Sequence, residues 1–309
     1  MDPLSELFSL IDMRSAASYR LEAGGQWSLR FPPQSHFKFC TILQGQCWIT
    51  LDGTSPQRLV TGDTYLLCNS QEYVLANDLN CPIEDGAMLY TKAQTNTVHY
   101  GGNETVLVGG EFTFETGNAD LFLGTLPQFI HITTQNPAAN LLSETLTVLN
   151  NELMNENLGR TLMTRRLADI LLIHTLRAYV SGIGNDRIGW LAALADVKIG
   201  AALKLMHNDV RRSWTLGHLA SAVAMSRSSF SSRFRDLVGI PPLEYLTRWR
   251  MYLARDALRN DNVSIAMLAS NLGYSSESAF RNAFKRVLGY PPRSYWLVSK
   301  SEHSSHERP

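Results

Sequence analysis

Between Trp27 and Ala76 short apolar runs alternate with turn residues. "WSLRF", "FKFCTIL", "CWITLD", "QRLV", "TYLLC" and "YVLA" are rich in β-branched and aromatic residues, and Gly45-Gln46, Asp52-Gly53 and Gly62-Asp63 punctuate them. That pattern predicts six short strands joined by tight turns. A further strand pair is predicted in "ETVLVGGEFTFE". Strands so short and so evenly spaced suit a small antiparallel barrel or sandwich.

From Leu141 the period changes from two to that of a helix. "LLSETLTVLNNELMNE" and "TLMTRRLADILLIHTLRAYV" are amphipathic, and "GWLAALADVKIGAALKLMHND" predicts a third helix leading into the C-terminal part. In the second of these, Leu162, Leu167, Ile170, Leu171 and His174 form a stripe wider than one core face requires, which predicts a homodimer held by helices between about Leu141 and Tyr179.

The last hundred residues contain one pattern written twice. Leu219-Ala220-Ser221 returns as Leu268-Ala269-Ser270 at an offset of 49, while Phe230, Phe234, Gly239, Pro242 and Tyr245 return as Phe280, Phe284, Gly289, Pro292 and Tyr295 at an offset of 50. Each copy reads as helix, turn, helix. Leu216, Leu219, Ala220 and Val223 make one apolar face, as do Ile265, Leu268, Ala269 and Leu272. Thr215 and Ser264 stand where a hydroxyl caps the first helix, and Ser226 and Ser275 are placed to cap the second. Gly239 and Gly289 end the second helices, and the paired prolines after them prevent continuation.

Opposite its phenylalanines, the second helix of the first copy shows Ser228, Ser232 and Arg235, with Arg227 and Ser231 at the front edge; the other copy shows Ser278, Asn282 and Lys285, with Glu277 and Arg281 beside them. Short hydrogen-bonding groups mixed with cations suit base edges and phosphates in a major groove. One such face alone reads equally well as an ordinary solvated surface; two in tandem favour nucleic acid.

Charge sharpens this reading. The formal net charge is zero over 309 residues, yet residues 1–212 hold 15 Lys and Arg against 21 Asp and Glu, a balance of −6, and residues 213–300 hold 12 against 5, a balance of +7. A positive excess confined to one domain-sized segment points to a polyanionic partner. No apolar run is long enough to span a bilayer, and "MDPLSELFSLIDMRS" lacks the layout of a signal peptide, so a cytoplasmic protein is expected. Cys40, Cys47, Cys68 and Cys81 form no C-x-x-C pair and read as buried thiols.

Residues 213–298 closely resemble the DNA-binding domain of AraC/XylS-type regulators, through "MSRSSFSSRF", "PPLEYLTRWRMYLARDAL", "SIAMLASNLGYSSESAFRNAFKR" and "GYPPRSYW". The resemblance implies two helix-turn-helix units (216–238 and 265–288) joined by one linker helix at about Pro242–Arg259, in a domain spanning 205–300. Base contacts carried over by position are Arg227, Ser228, Ser231, Ser232, Glu277, Ser278, Arg281 and Asn282, and phosphate contacts are Arg235, Arg248, Arg250, Arg255 and Lys285. In the linker helix Leu246, Leu253 and Ala257 recur at helical spacing and are expected to pack inward.

The N-terminal half is similar to the cupin-type sensor domain of one branch of that family, through "LRFPP", "GQCWITLDG", "RLVTGDTYLL" and "GTLPQFIHI". The expected fold class is thus α+β: a cupin-like antiparallel barrel over 1–140, a helical dimerisation and linker region over 141–204, and the all-α DNA-binding domain. The resemblance implies a regulator, an activator working with RNA polymerase, that binds double-stranded DNA and responds to a small-molecule effector in the barrel. Trp27, Phe39, Trp48, Tyr65 and Tyr73 are candidate walls of an effector pocket, or else simply fill the barrel, as in a constitutive DNA binder. A metal-dependent cupin enzyme tethered to DNA is the alternative from another class. It lacks its ligands: Cys40 and Tyr73 stand where metal-binding relatives place histidines, and His36, His99 and His131 are isolated, so neither metal nor cofactor is expected.

The charge balance has a measurable consequence. Neutralising about four to six phosphates makes log K fall against log salt with a slope of roughly −4 to −5. Titration of DNA binding by fragment 205–300 at several salt concentrations reads that slope, and a flat response contradicts the electrostatic footprint.

Overall fold

The computed structural model describes residues 4–5, 13–33, 37–68, 72–93, 96–114, 126–182, 189–260 and 263–295. Contacts divide the chain into two compact units, one of Met13–Phe114 with Leu126–Asn185, the other starting at Asp186.

The first unit is two sheets wrapped around one core. One runs in the order β11(Phe129–Ile132), β6(Thr64–Leu67), β3(Phe37–Gln44), β10(Thr105–Phe114), β1(Met13–Ala23) and β9(Thr97–Tyr100). The other runs β5(Gln57–Val60), β4(Gln46–Leu51), β7(Tyr73–Ala76), β2(Ser28–Phe31) and β8(Glu84–Asp85). A helix α1(Gly86–Ala93) follows β8, and α2(Ala139–Met154) and α3(Arg160–Ser181) pack together and against β1. The six strands expected between Trp27 and Ala76 are present within a residue or so of their predicted ends.

Two expectations are corrected. "ETVLVGGEFTFE" is not a hairpin but the single strand β10, paired antiparallel to both β1 and β3. Gly109 answers to crowding rather than turning: a Cβ there would stand 2.4 Å from the Phe39 carbonyl oxygen and 2.6 Å from the Tyr19 hydroxyl. "GWLAALADVKIGAALKLMHND" is two helices, α4(Trp190–Ala195) and α5(Val197–Asn208), because Asp196 leaves helical geometry at ψ 125° and its carboxylate accepts the Lys198 and Ile199 amides. Both lie in the same compact unit as the C-terminal helices. The apolar stripe of α3 divides: Leu167 and Leu171 are buried in their own unit, while Leu162 and Ile170 are exposed and His174 is half-buried.

The second unit continues with α6(Leu216–Ala222), α7(Arg227–Val238), α8(Pro242–Asn260), α9(Ile265–Asn271) and α10(Glu277–Leu288). Leu246 of α8 is buried, and Leu253 and Ala257 pack against the core of the second helix pair. The centre of the first pair is polar as well as aromatic. Trp190 Nε1 donates to the Tyr245 hydroxyl over 3.0 Å, and that hydroxyl lies 2.7 Å from His207 Nε2, which leaves its proton for the imidazole. The His207 ring stacks on Trp249 at 3.9 Å between centroids. Burial lowers the His207 pKa from 6.5 to about 3, so the ring is neutral in the folded chain.

Between pH 6.5 and 3 the unfolded chain therefore binds a proton that the folded chain does not. The stabilisation is complete above pH 6.5 and declines as the pH falls, by up to about 1.4 kcal/mol per pH unit from this group. Tyr245→Phe, which strips both buried nitrogens of this partner, is expected to cost about 1–3 kcal/mol. Denaturant unfolding between pH 4 and 8 measures both effects, and a His207→Phe variant with undiminished acid sensitivity would contradict the assignment.

Candidate nucleic-acid interface and barrel interior

The two helix pairs are built from the same local chemistry. Thr215 accepts the His218 amide at the start of α6, and Ser264 accepts the Met267 amide at the start of α9. Ser226 accepts the Ser229 amide to open α7. For α10 the cap is Ser276, which accepts the Ala279 amide, and not Ser275. The turns show why. Met225 N–H returns to the Ala220 carbonyl and Tyr274 N–H to the Ala269 carbonyl, still at an offset of 49, so Ser275 is itself the inserted residue. Gly239 and Gly289 end α7 and α10, both at φ 85°.

The apolar faces point inward. Phe230, Phe234, Phe280 and Phe284 are fully buried. Ser228, Ser232 and Arg235 of α7, and Ser278, Arg281, Asn282 and Lys285 of α10, are exposed, while Ser231 and Glu277 are half-buried. Several polar groups are engaged within the chain. Arg227 lays its guanidinium across Gly217, where an added Cβ would meet it at 2.9–3.1 Å. Arg281 pairs with Glu277 one turn away, and the Ser232 hydroxyl donates to Asp236 over 3.3 Å.

Inside the first unit, strand alternation sorts the candidate pocket walls. Cys40 and Ile42 of β3, and Cys47, Ile49 and Leu51 of β4, belong to the core between the sheets, together with Trp27, Tyr65 and Tyr73. Phe39 and Trp48 are their immediate neighbours along the strands and so face the other way. Phe39 packs on Phe112 at 5.5 Å and Trp48 is half-buried, so neither lines the interior. Lys38, on the inner side of β3, is buried: its Nζ is 3.0 Å from Glu111 and lies 4.7 Å, 5.1 Å and 5.6 Å from the ring centres of Tyr19, Phe31 and Tyr73. Burial pushes the Cys40 thiol up to about 12 and the Tyr19, Tyr65, Tyr73 and Tyr90 hydroxyls well above their usual range, so all stay neutral. Among the described residues, the buried Trp27 indole N–H has no hydrogen-bond partner.

The isolated histidines are carboxylate partners. His99 Nδ1 is 2.8 Å from Glu22, and His131 Nε2 is 3.1 Å from Asp63. His36 lies outside the described residues, and among those described no cluster of three metal-ligating side chains occurs.

A cupin family model matches residues 2–181, and a helix-turn-helix domain model matches residues 219–296. A putative AraC-like transcription regulator of Streptomyces lividans is 40% identical over 297 residues, covering 96% of this chain and 98% of the relative. A second, from Streptomyces antibioticus, is 39% identical over the same shares of both chains. The chain belongs to the AraC family of transcription regulators. The HTH-type transcriptional regulator AlkR of Acinetobacter baylyi is 28% identical over 304 residues, covering 96% of this chain and 99% of AlkR. As an AraC-family protein it is a DNA-binding regulator and not an enzyme.

For this AraC-family domain the linker-helix arginines need correcting. Arg250 donates from Nε to the Val210 carbonyl (2.9 Å) and from Nη2 to the Arg212 carbonyl (2.8 Å), and burial lowers its pKa. It holds the loop before α6 and leaves the phosphate set. Arg255 is buried at 6% exposure, 5.6 Å above the Tyr252 ring, and leaves it too. Arg248 pairs with Glu244 but stays half-exposed. Sequence spacing had no means of separating these arginines, which differ only in what packs opposite them.

Arg250→Ala is accordingly expected to lower the melting temperature and leave the salt slope unchanged. Arg281→Ala and Asn282→Ala are expected to cost about 1–3 kcal/mol each on a selected site and little on random DNA. Parallel melting and binding titrations separate the two behaviours. Equal losses on both DNAs for Arg281→Ala would make it a phosphate contact.

Proposed function

We propose that this chain is an effector-controlled activator that acts as a homodimer in the cytoplasm, with RNA polymerase as its downstream partner. The outer faces of α7 and α10 read bases through Arg227, Ser228, Ser231, Ser232, Glu277, Ser278, Arg281 and Asn282, while Arg235, Arg248 and Lys285 hold phosphates. Support comes from the tandem of capped helices whose largely exposed outer faces mix serine and asparagine with arginine and lysine. The dimer is assigned to the exposed apolar residues of α2 and α3, namely Leu141, Val148, Leu162, Met163 and Ile170.

The effector reading rests on one observation: an indole N–H, that of Trp27, is buried in the barrel core without a partner among the described residues. Such a group costs free energy unless an acceptor meets it. Trp27, Tyr65 and Tyr73 then form the aromatic walls, with Lys38 and Tyr19 as polar neighbours. A small, largely apolar effector carrying one hydrogen-bond acceptor fits that lining. A thermal-shift screen of such compounds tests it: a ligand at one hundred times its Kd adds about 2.7 kcal/mol. The shift is expected to shrink in Trp27→Phe. Absence of any stabilising compound favours a constitutive binder with a filled barrel.

A further inference from the structure

Residues 189–199 enter the DNA-binding unit, and they fasten onto α7 at three levels. At its last turn, the Gly189 N–H donates to the Leu237 carbonyl over 2.9 Å. At mid-helix, Asp196 Oδ2 accepts from both Nε (2.9 Å) and Nη2 of Arg233. At the turn before α7, Lys198 Nζ donates over 3.0 Å to the carbonyl of Ala224, a non-glycine residue held at φ 51°.

Asp196 is the hub. The same carboxylate caps α5 through Oδ1, accepting the Lys198 amide at 3.0 Å and the Ile199 amide at 2.8 Å, and grips Arg233 through Oδ2. Its side chain is only 10% exposed, against 57% for Arg233. Burial works against its ionisation, but the Ile199 amide and the Arg233 guanidinium outweigh it and hold the carboxyl below its usual range. A two-pronged arginine contact to a carboxylate already fixed by backbone amides keeps its geometry, unlike a loose surface pair. At about 100° per residue, Arg233 lies roughly 140° around α7 from Ser228, away from the face that carries the serines.

We propose that Asp196 is a positioning residue for DNA recognition: through Arg233 it sets the rotation and depth of α7, and so the placement of Ser228, Ser231 and Ser232 against the bases. It touches no DNA itself. The second helix pair has no such contact to α10 among the described residues; there Arg250 and the Arg211–Arg212 backbone brace the turn at Gly273 instead, where a Cβ would stand 2.2 Å from the Arg211 carbonyl oxygen.

The test uses the full chain and a duplex selected from a random library by the wild-type protein. Asp196→Asn keeps a cap acceptor but loses the charge, and Arg233→Gln leaves the cap of α5 untouched. Both are expected to flatten base preference by about three- to tenfold in one contiguous half of the site. That half is not the one flattened by Arg281→Ala, and the salt slope stays unchanged in both variants. If Asp196→Asn melts early, the exposed Arg233→Gln decides alone. Unaltered preference, a loss spread over the whole site, or a loss in the Arg281 half overturns the proposal. So does a salt slope reduced by about one in Arg233→Gln, which would make Arg233 a phosphate contact. The base-reading role rests on Arg281→Ala separately: if that variant flattens nothing, the role of α10 fails, while a half-site loss in Asp196→Asn still upholds the latch.

Discussion

Two phenylalanines one helical turn apart set the orientation of each outer helix of the C-terminal unit. Phe230 and Phe234 in one copy, and Phe280 and Phe284 in the other, are completely excluded from water. Burying each such ring contributes on the order of 1.5–3 kcal/mol. Rotating α7 or α10 about its axis would expose that surface and drive serines and arginines into the core, so the rotation is fixed by burial. The polar faces point outward because the aromatic faces cannot. Caps, left-handed glycines and the aromatic cluster of His207, Tyr245 and Trp249 then refine a position the phenylalanines have already chosen.

The barrel unit follows the analogous constraint for strands. Alternation sends Cys40 and Ile42 inward and their neighbour Phe39 outward, and does the same for Ile49 and Trp48. This leaves a core of aromatic and sulfur-bearing side chains into which a lysine and several neutral hydroxyls have been admitted. A buried ammonium is tolerable because Glu111 and three aromatic rings surround it. Buried thiols with strongly raised pKa values suit packing and not redox chemistry.

Arginine chemistry separates the two ends of the DNA-binding unit. Arg250 and Arg255 stand on the same linker helix as Arg248 and have the same side chain, yet the first two are consumed by backbone carbonyls and ring faces. Charge excess over the domain therefore overstates the number of cations free for phosphate. Of the arginines and lysine proposed for phosphate, Arg235 and Lys285 stay exposed and Arg248 half-exposed.

The repeated helix-turn-helix pattern, the faces of its helices, most of the caps and the short strands of the barrel are legible along the chain, because they follow from periods of 3.6 and 2 and from local backbone chemistry. The sequence also contained the correction for Phe39 and Trp48, since alternation from Cys40 excludes Phe39 from the same wall. Other features were decided only in three dimensions. β1 was not apparent, because "MRSAASYRLEA" has too little apolar alternation and is a strand only through its pairing with β10 and β9. Gly109 and Gly110 read as a break until Tyr19 and Phe39 are seen pressed against the first of them. The division of the α3 stripe, the role of Arg250 and the grip of Asp196 on Arg233 all depend on partners 37 or more residues away or on other elements. Local periodicity carries no record of such distant neighbours, because a side chain's partner is set by where packing brings the elements together.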